Sequence, residues 1–370
     1  MSFHTDVSQK KNIVFVAPSM GFAGVGKMIS FIANQLSSRG HKVSLINLNT
    51  TTKLMEQTIS DAINVCNLDG NVRGLRRFLC VSEIVPICKK HNADIVIGFT
   101  EIPSMLAALV GLRLGIPSIM SERGDPARTG MGKGFKNRVV LEIINRSKGG
   151  VFQTDGARSF YGKGLQKRGV VIPNPIFIKG EIPQVAHAER EKTVVSVGRL
   201  DIFQKRYDVM LKAFALFSEK HPEYTLKLYG KGGDENLIRQ WVTEMGLEEK
   251  VRFMGLTTQP MQDIARDGMF LITSDFEGIS NSLLEAMAVG LPCVSTDHTP
   301  GGARLLITDH ENGLLAPVED AEALAHALCE FAENPQLAEK CGNNAKTVTT
   351  RFAPERIIDL WEEYILKLTQ

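Results

Sequence analysis

The chain has 370 residues, with 43 Lys/Arg against 41 Asp/Glu and 43% hydrophobic residues, an ordinary globular composition whose length predicts two domains rather than one core. Its six cysteines form no C-x-x-C pair, which argues against a zinc knuckle or redox motif and leaves them as small buried hydrophobes. The net charge of +2 conceals an asymmetry: residues 1–180 carry 24 Lys/Arg against 11 Asp/Glu, whereas residues 181–370 carry 19 against 30. A cationic first half suits an anionic membrane face, a pyrophosphate-linked lipid or a nucleic acid, with a merely solvated basic surface as the alternative. Nucleic acid is discounted, because no recognised binding motif and no basic run interleaved with aromatics is present.

The opening MSFHTDVSQK is polar with no signal-peptide run behind it, and the apolar stretch 104–120 is interrupted by Arg113, so a cytoplasmic protein is expected. Strand-like runs then follow in order: NIVFVA (12–17), KVSLINL (42–48), ADIVIGF (93–99), IPSIMS (116–121) and GGVFQT (149–154). Amphipathic stretches such as Lys27–Arg39 and Gly74–His91 separate them. After the Pro-rich GVVIPNPIFIKGEIPQ (169–184) the pattern restarts with TVVSVGRL (193–200), YTLKLYG (224–230), KVRFMG (250–255), MFLITS (269–274) and LPCVST (291–296). Alternating short strands and helices predict two doubly wound parallel α/β sheets, with domains over 1–180 and 181–350. Ligand crevices of such sheets lie at the carboxyl ends of the strands, so facing domains can share one cleft. A final segment, 351–370, includes a helix with Trp361 and Tyr364 that is expected to pack back across the junction.

The chemistry concentrates in DFEGISNSLLEAMAVGLPCVSTD (275–297), where a buried strand gives way to a small polar turn and an apolar helix. Backbone N–H groups of Ser280, Asn281 and Ser282 at a helix N-terminus suit phosphate oxygens. Glu277 and Glu285 can then hold neutral hydroxyls on either side of that anion, the charge layout of a sugar nucleotide. The alternative is that Ser282-x-x-Glu285 is only a capping box and Glu277 a solvated loop charge. Upstream, VGRLDIFQK places Arg199 at a strand end and Lys205 at the next helix start, two cations able to neutralise a diphosphate, or simply exposed surface charges. Glycines at 21, 24 and 26 and the turn LYGKGGDENL (228–237) allow close backbone approach, but neither fits the dinucleotide fingerprint or the P-loop.

VGRL, the basic residue six on from Arg199, LYGKGGDENL, VRFMG and E-x7-E in EGISNSLLEAMAVGLPCV together resemble the retaining glycosyltransferases of family 4, which have the GT-B fold. SERGDP (121–126), VFQTDGARSFY (151–161) and VIPNPI (171–176) are similar to the bacterial surface-polysaccharide and lipid-linked oligosaccharide transferases within it. The resemblance implies two Rossmann-like domains facing across a cleft. It implies diphosphate binding by Arg199, Lys205 and the amides of Ser280, Asn281 and Ser282, ribose contact by Glu285, donor-sugar contact by Glu277, base contact by Thr257, and donor-phosphate approach at Gly24. Two positions depart from the family pattern. Arg123 stands where many relatives have a histidine near the transferred sugar, which leaves it donor phosphate, acceptor or a structural pairing with Asp125. Leu305 replaces the usual glutamate of the P-x-G-P-x-E segment.

The expected activity is transfer of a hexose or N-acetylhexosamine from a UDP-sugar, with retention, to a lipid-linked glycan acceptor. No cofactor and no divalent metal are expected, because cations and helix ends supply the electrostatics. Arg73, Arg76 and Arg77 beside Phe78 and Leu79, and Lys133, Lys136 and Arg138 around Phe135, are candidate seats on an anionic membrane surface, or ordinary amphipathic helices. A UDP-N-acetylglucosamine 2-epimerase or a catalytically silent sugar-nucleotide-binding module are the competing readings.

Overall fold

Near-continuous Val/Ile runs, rather than alternating ones, are what parallel strands need when both faces of their sheet are covered by helices. The chain folds in that way twice. The computed structural model describes residues 10–18, 24–49, 59–68, 76–178 and 180–370. Two compact units emerge, one formed by residues 1–173 with 355–370 and the other by residues 174–354.

The first unit has strands β1 (Asn12–Ala17), β2 (Lys42–Asn47), β3 (Asn64–Asn67), β4 (Ile95–Phe99), β5 (Ser118–Ser121), β6 (Gly149–Phe152) and β7 (Val170–Val171). They form one sheet in the order 3-2-1-4-5-6-7, and each neighbouring pair is parallel. Alternate residues feed two cores, Ile13 and Phe15 on one face, Val14 and Val16 on the other. The first of these faces is covered in part by the helix Pro354–Leu368, which buries Ile357, Ile358, Trp361, Tyr364 and Ile365. Trp361 stacks on Phe99 at 5.8 Å between ring centroids. Tyr364 Oη accepts from the Gly150 amide at 3.0 Å and donates to the Arg168 carbonyl at 2.5 Å. That approach needs a glycine at 149, since a Cβ there would lie 2.5 Å from the tyrosine oxygen. Arg39 ties down the outer face of the helix through Asp359 at 2.6 Å and Glu362 at 2.5 Å, and His41 reaches Glu362 at 2.9 Å.

The second unit has β8 (Thr193–Val197), β9 (Thr225–Tyr229), β10 (Val251–Gly255), β11 (Met269–Ile272), β12 (Cys293–Thr296) and β13 (Leu314–Ala316), again all parallel. Their order, 10-9-8-11-12-13, repeats the pattern of the first sheet. Strand order reverses between β1 and β4 in one unit and between β8 and β11 in the other, and at such a point neighbouring crossovers part to leave a crevice at the carboxyl ends.

Ten strands stand where the apolar runs predict them. The other three have no such run: β3 is a largely exposed edge, β7 has two residues and β13 three. The division at Pro173/Asn174 lies a few residues before the expected 180. Asn174–Ile178 already sits on the second unit, where Ile176 is buried and its amide donates to the Phe352 carbonyl at 2.9 Å. Among the described residues, no helix is long and apolar enough to cross a membrane.

Candidate active site

The loops leaving β8, β11 and β12 are laced together at the switch point of the second sheet. Asp201 caps the short helix Ile202–Lys205 by accepting from the amides of Phe203 and Gln204 at 3.0 and 3.1 Å. Gln204 then bridges to the β11 loop, its side chain donating to the Phe276 carbonyl at 3.0 Å and its own carbonyl accepting from the Asp275 amide at 3.0 Å. The Glu277 amide donates to the Thr299 carbonyl at 2.9 Å, which fastens the β12 loop to the same place. Gly302 is required there, because a Cβ would fall 1.6 Å from the Gly278 carbonyl oxygen.

This lacing brings together two residues 72 positions apart: the Lys205 ammonium pairs with Glu277 Oε1. The Ser274 hydroxyl donates to the same oxygen at 2.5 Å. Both side chains are withdrawn from solvent, 14% exposed for Lys205 and 9% for Glu277, so the pair is neither a surface cation nor a solvated loop charge. Burial opposes ionisation of Glu277, but Lys205, His298 and the Ser274 hydroxyl together hold its carboxyl below the usual carboxylate range. The next residue has a different task. Arg206, in the left-handed region at φ 51°, spends its guanidinium on Asp208 at 3.0 Å, Asp275 at 2.9 Å and Glu319 at 2.5 Å. Asp275 is thus engaged by Arg206 and Glu277 by Lys205. Among the described residues, the one grouping of three metal-ligand atoms, His221, Cys329 and Glu333, lies elsewhere, at the ends of two helices.

The helix Asn281–Ala288 begins beside Glu277. Its N-cap is Ser280, whose hydroxyl accepts from the Leu283 amide at 3.4 Å and lies 3.1 Å from the Ser282 hydroxyl. The capping-box alternative therefore fails: Ser282 is the second helical residue, and Glu285 is the fifth, two positions past the third, from which a capping-box side chain reaches back to the N-cap. Glu285 instead shares a face with Asn281, four residues earlier, half-buried below the helix N-terminus. Helix geometry leaves the first-turn amides of Asn281 and Ser282 without intrahelical acceptors, and the macrodipole adds partial positive charge there. Asn174, from the NPIF segment, sets its amide nitrogen 3.5 Å from Asn281 Oδ1.

Arg199 follows β8 but points outward. Its side chain is 63% exposed and pairs with Asp201 at 3.0 Å and Gln204 at 3.1 Å. The glycines of LYGKGG serve loop packing: a Cβ on Gly230 would lie 1.8 Å from the Gly198 oxygen, and one on Gly232 1.9 Å from that of Leu200. Thr257, beyond the edge strand β10, donates to Asp263 at 2.5 Å and accepts from the Gln259 amide at 3.0 Å. Leu305 is partly buried against the apolar core of the second unit.

Gly24 and Arg123 belong to the first unit. Gly24 is exposed and opens the helix Gly24–Ser38; Gly21 and Arg73, and the side chains of Arg76, Arg77 and Phe78, lie outside the described residues. Arg123 follows β5, donates through Nε to Ser121 Oγ at 3.0 Å, and carries its guanidinium over Trp361 at 5.3 Å and Phe99 at 5.7 Å. Burial lowers its pKa to about 9, opposed by Glu122. Glu122 is itself buried, accepting from the Arg123 and Gly124 amides at 2.9 and 3.0 Å and from the Tyr161 hydroxyl at 2.6 Å. At the switch point of this sheet Thr100 holds φ 68°, ψ −177°, a conformation that β-branched residues rarely adopt.

His298 was not foreseen. It follows β12 with none of its surface exposed, and its Nε2 has no hydrogen-bond partner. A lone histidine in TDHTPGG carries no pattern; only its place just past a strand's carboxyl end hinted at it.

Two parallel sheets of this order, each with a switch-point crevice and with a C-terminal helix returned to the first, define the GT-B class of fold. The HepE protein of Anabaena, solved in complex with UDP, superposes with a TM-score of 0.82 at 20% identity, over 96% of this chain and 100% of its own. The family Glycosyltransferase Family 4 matches residues 22–178, and Glycosyl transferases group 1 matches residues 178–348. The chain is a GT-B glycosyltransferase related to these two families. A Haemophilus influenzae protein described as an uncharacterized glycosyltransferase is 23% identical over 95% of this chain and 99% of its own. The Campylobacter jejuni N-acetylgalactosamine-N,N'-diacetylbacillosaminyl-diphospho-undecaprenol 4-alpha-N-acetylgalactosaminyltransferase is 32% identical over 48% of each chain.

Proposed function

We propose that the protein transfers a hexose or N-acetylhexosamine from a UDP-sugar, with retention of configuration, to a hydroxyl of a glycan acceptor in bacterial polysaccharide or glycoconjugate synthesis. The observation that carries this reading is the buried Lys205–Glu277 pair beside the N-terminus of Asn281–Ala288, at the carboxyl ends of β8 and β11. A cation and a helix N-terminus suit the diphosphate leaving group, and the carboxylate suits the sugar hydroxyls. The UDP in the HepE structure and the sugar-transferase names of the relatives support the same ligand class.

Lys205 and Arg199 neutralise the diphosphate, Arg199 by swinging from Asp201, while the amides of Ser280, Asn281 and Ser282 bind its oxygens. Glu277 accepts from the sugar hydroxyls, Glu285 from the ribose, and Thr257 lies toward the base. Gly24 and Arg123 are the first unit's candidates for donor or acceptor contact. In the reaction the bond between the anomeric carbon and the UDP oxygen breaks. The acceptor oxygen bonds to the anomeric carbon on the same face, and its proton passes to the departing phosphate oxygen, so no residue is a covalent nucleophile.

The proposed acceptor is lipid-linked, met at the cytoplasmic face of a membrane. Phe135 is 82% exposed on the helix Gly134–Asn145, with Lys133, Lys136 and Arg138 around it, a combination that seats on anionic lipid. The experiment is UDP release from a panel of UDP-sugars, each with and without a lipid-linked or simple glycoside acceptor, with NMR of the recovered sugar. Acceptor-dependent release with an α-linked product is the expected result; an epimerised UDP-sugar without acceptor, or binding without turnover, overturns it.

A further inference from the structure

His298 sits against the loop that carries Glu277, with its Cε1 3.2 Å from where a Cβ on Gly302 would lie. Its Nδ1 lies 3.4 Å from the Thr299 carbonyl, a contact that only an Nδ1–H can use. In that tautomer Nε2 is a lone pair, buried and without a partner, a state that is destabilising unless something relieves it. The charged groups acting on the ring are Glu277 from the β11 loop, Lys205 from the helix after β8, and the neighbouring Asp297, itself held by Arg304 at 2.7 and 2.8 Å. Without ligand, Lys205 already neutralises Glu277.

We propose that donor binding transfers Glu277 from Lys205 to His298, whose imidazole takes a proton from solvent and donates Nε2–H to the carboxylate. The inference rests on the donor site proposed above. An arriving diphosphate brings negative charge that Lys205 must share, and a buried carboxylate stripped of its counter-charge is strongly destabilised. Protonation of His298 replaces that charge, fills the empty Nε2 position and keeps the Nδ1–H bond to Thr299. Burial pushes the free imidazole's pKa below its usual value, with Glu277 opposing, so the ring is neutral near pH 7 and has a proton to gain. His298 is thus a positioning residue that holds Glu277 in place through the reaction.

The test is calorimetric titration of the full chain with UDP at pH 7.5 in buffers of differing ionisation enthalpy. Wild type should take up close to one proton more per UDP than His298→Asn, the comparison cancelling protons that belong to UDP itself. Equal uptake in the two proteins overturns the proposal alone, whereas no UDP binding by wild type overturns the donor-site reading on which it stands. If the variant does not fold, ¹³C-histidine NMR of wild type decides: one imidazole should move to its imidazolium position at saturating UDP, and the absence of any such signal refutes the inference.

Discussion

The two sheets share one strand order, yet their switch-point regions are filled with opposite kinds of side chain. In the first unit, Phe15 and Trp361 lie against Phe99 at the end of β4, Trp361 stacked on it, and Arg123 lies over the rings of Phe99 and Trp361. In the second, a buried ammonium–carboxylate pair and a helix N-terminus occupy the corresponding place. Topology makes a crevice twice; side-chain chemistry decides which is built for an anion. Charge follows the same division, since the basic first half shows exposed cations around Phe135 while the acidic second half conceals Lys205.

The sharpest way to break this comparison is to disrupt each unit separately. Trp361→Ala removes the largest fully buried side chain, together with its stacking on Phe99, and should cost the first unit about 3–5 kcal/mol. Calorimetry should show an earlier transition, and UDP affinity, which the proposed donor site assigns to the second unit, should persist below it. Lys205→Ala or Glu277→Ala should do the reverse. Turnover should fall by about 10²–10³ or more, as when a group aimed at developing charge is lost. The far-UV spectrum should be kept, though leaving either charge buried alone will lower the melting temperature. Activity retained in both variants would remove the pair from the site.

Arg199→Ala is the intermediate case and separates the two cations. An exposed guanidinium already paired with Asp201 contributes little to stability. Its loss should raise KM for the donor by about tenfold, roughly 1.4 kcal/mol, with turnover affected much less than by Lys205→Ala. A larger effect from Arg199 than from Lys205 would exchange their roles.

The contrast between the units also marks what was legible. Parallel strands buried on both faces announce themselves as Val/Ile runs, so NIVFVA and TVVSVG were readable, while the exposed NVCN and the short LLA were not. Glu277, Lys205 and the Ser280–Ser282 turn were legible as residue types at strand ends. Their pairing was not, because it depends on loops 72 residues apart being laced through Gln204 and Thr299. The adjacent Lys205 and Arg206 look interchangeable in sequence; only the left-handed backbone at Arg206 turns one toward Glu277 and the other toward Asp275. Two serines two positions apart hid which of them is the helix cap.

The smallest effect is the most specific to the second unit, and it lies in acid. Glu277 has a folded pKa below its unfolded value of 4.5, so its stabilising contribution is complete above that pH and is lost as pH falls through the lower folded value. His298 also has a lowered folded pKa, but as a base kept neutral it acts earlier. Below the ordinary imidazole value of 6.5 the unfolded chain takes a proton that the folded protein refuses, so stability declines from there down to the folded value. One such group sets a slope of at most about 1.4 kcal/mol per pH unit. Denaturation midpoints of ligand-free protein between pH 7 and 5 should therefore fall more steeply for wild type than for His298→Asn. Saturating UDP should flatten the wild-type curve, because the imidazolium then has Glu277 to itself. Parallel curves for the two proteins would mean that His298 is indifferent to its charge, and that Glu277 stands on Lys205 alone.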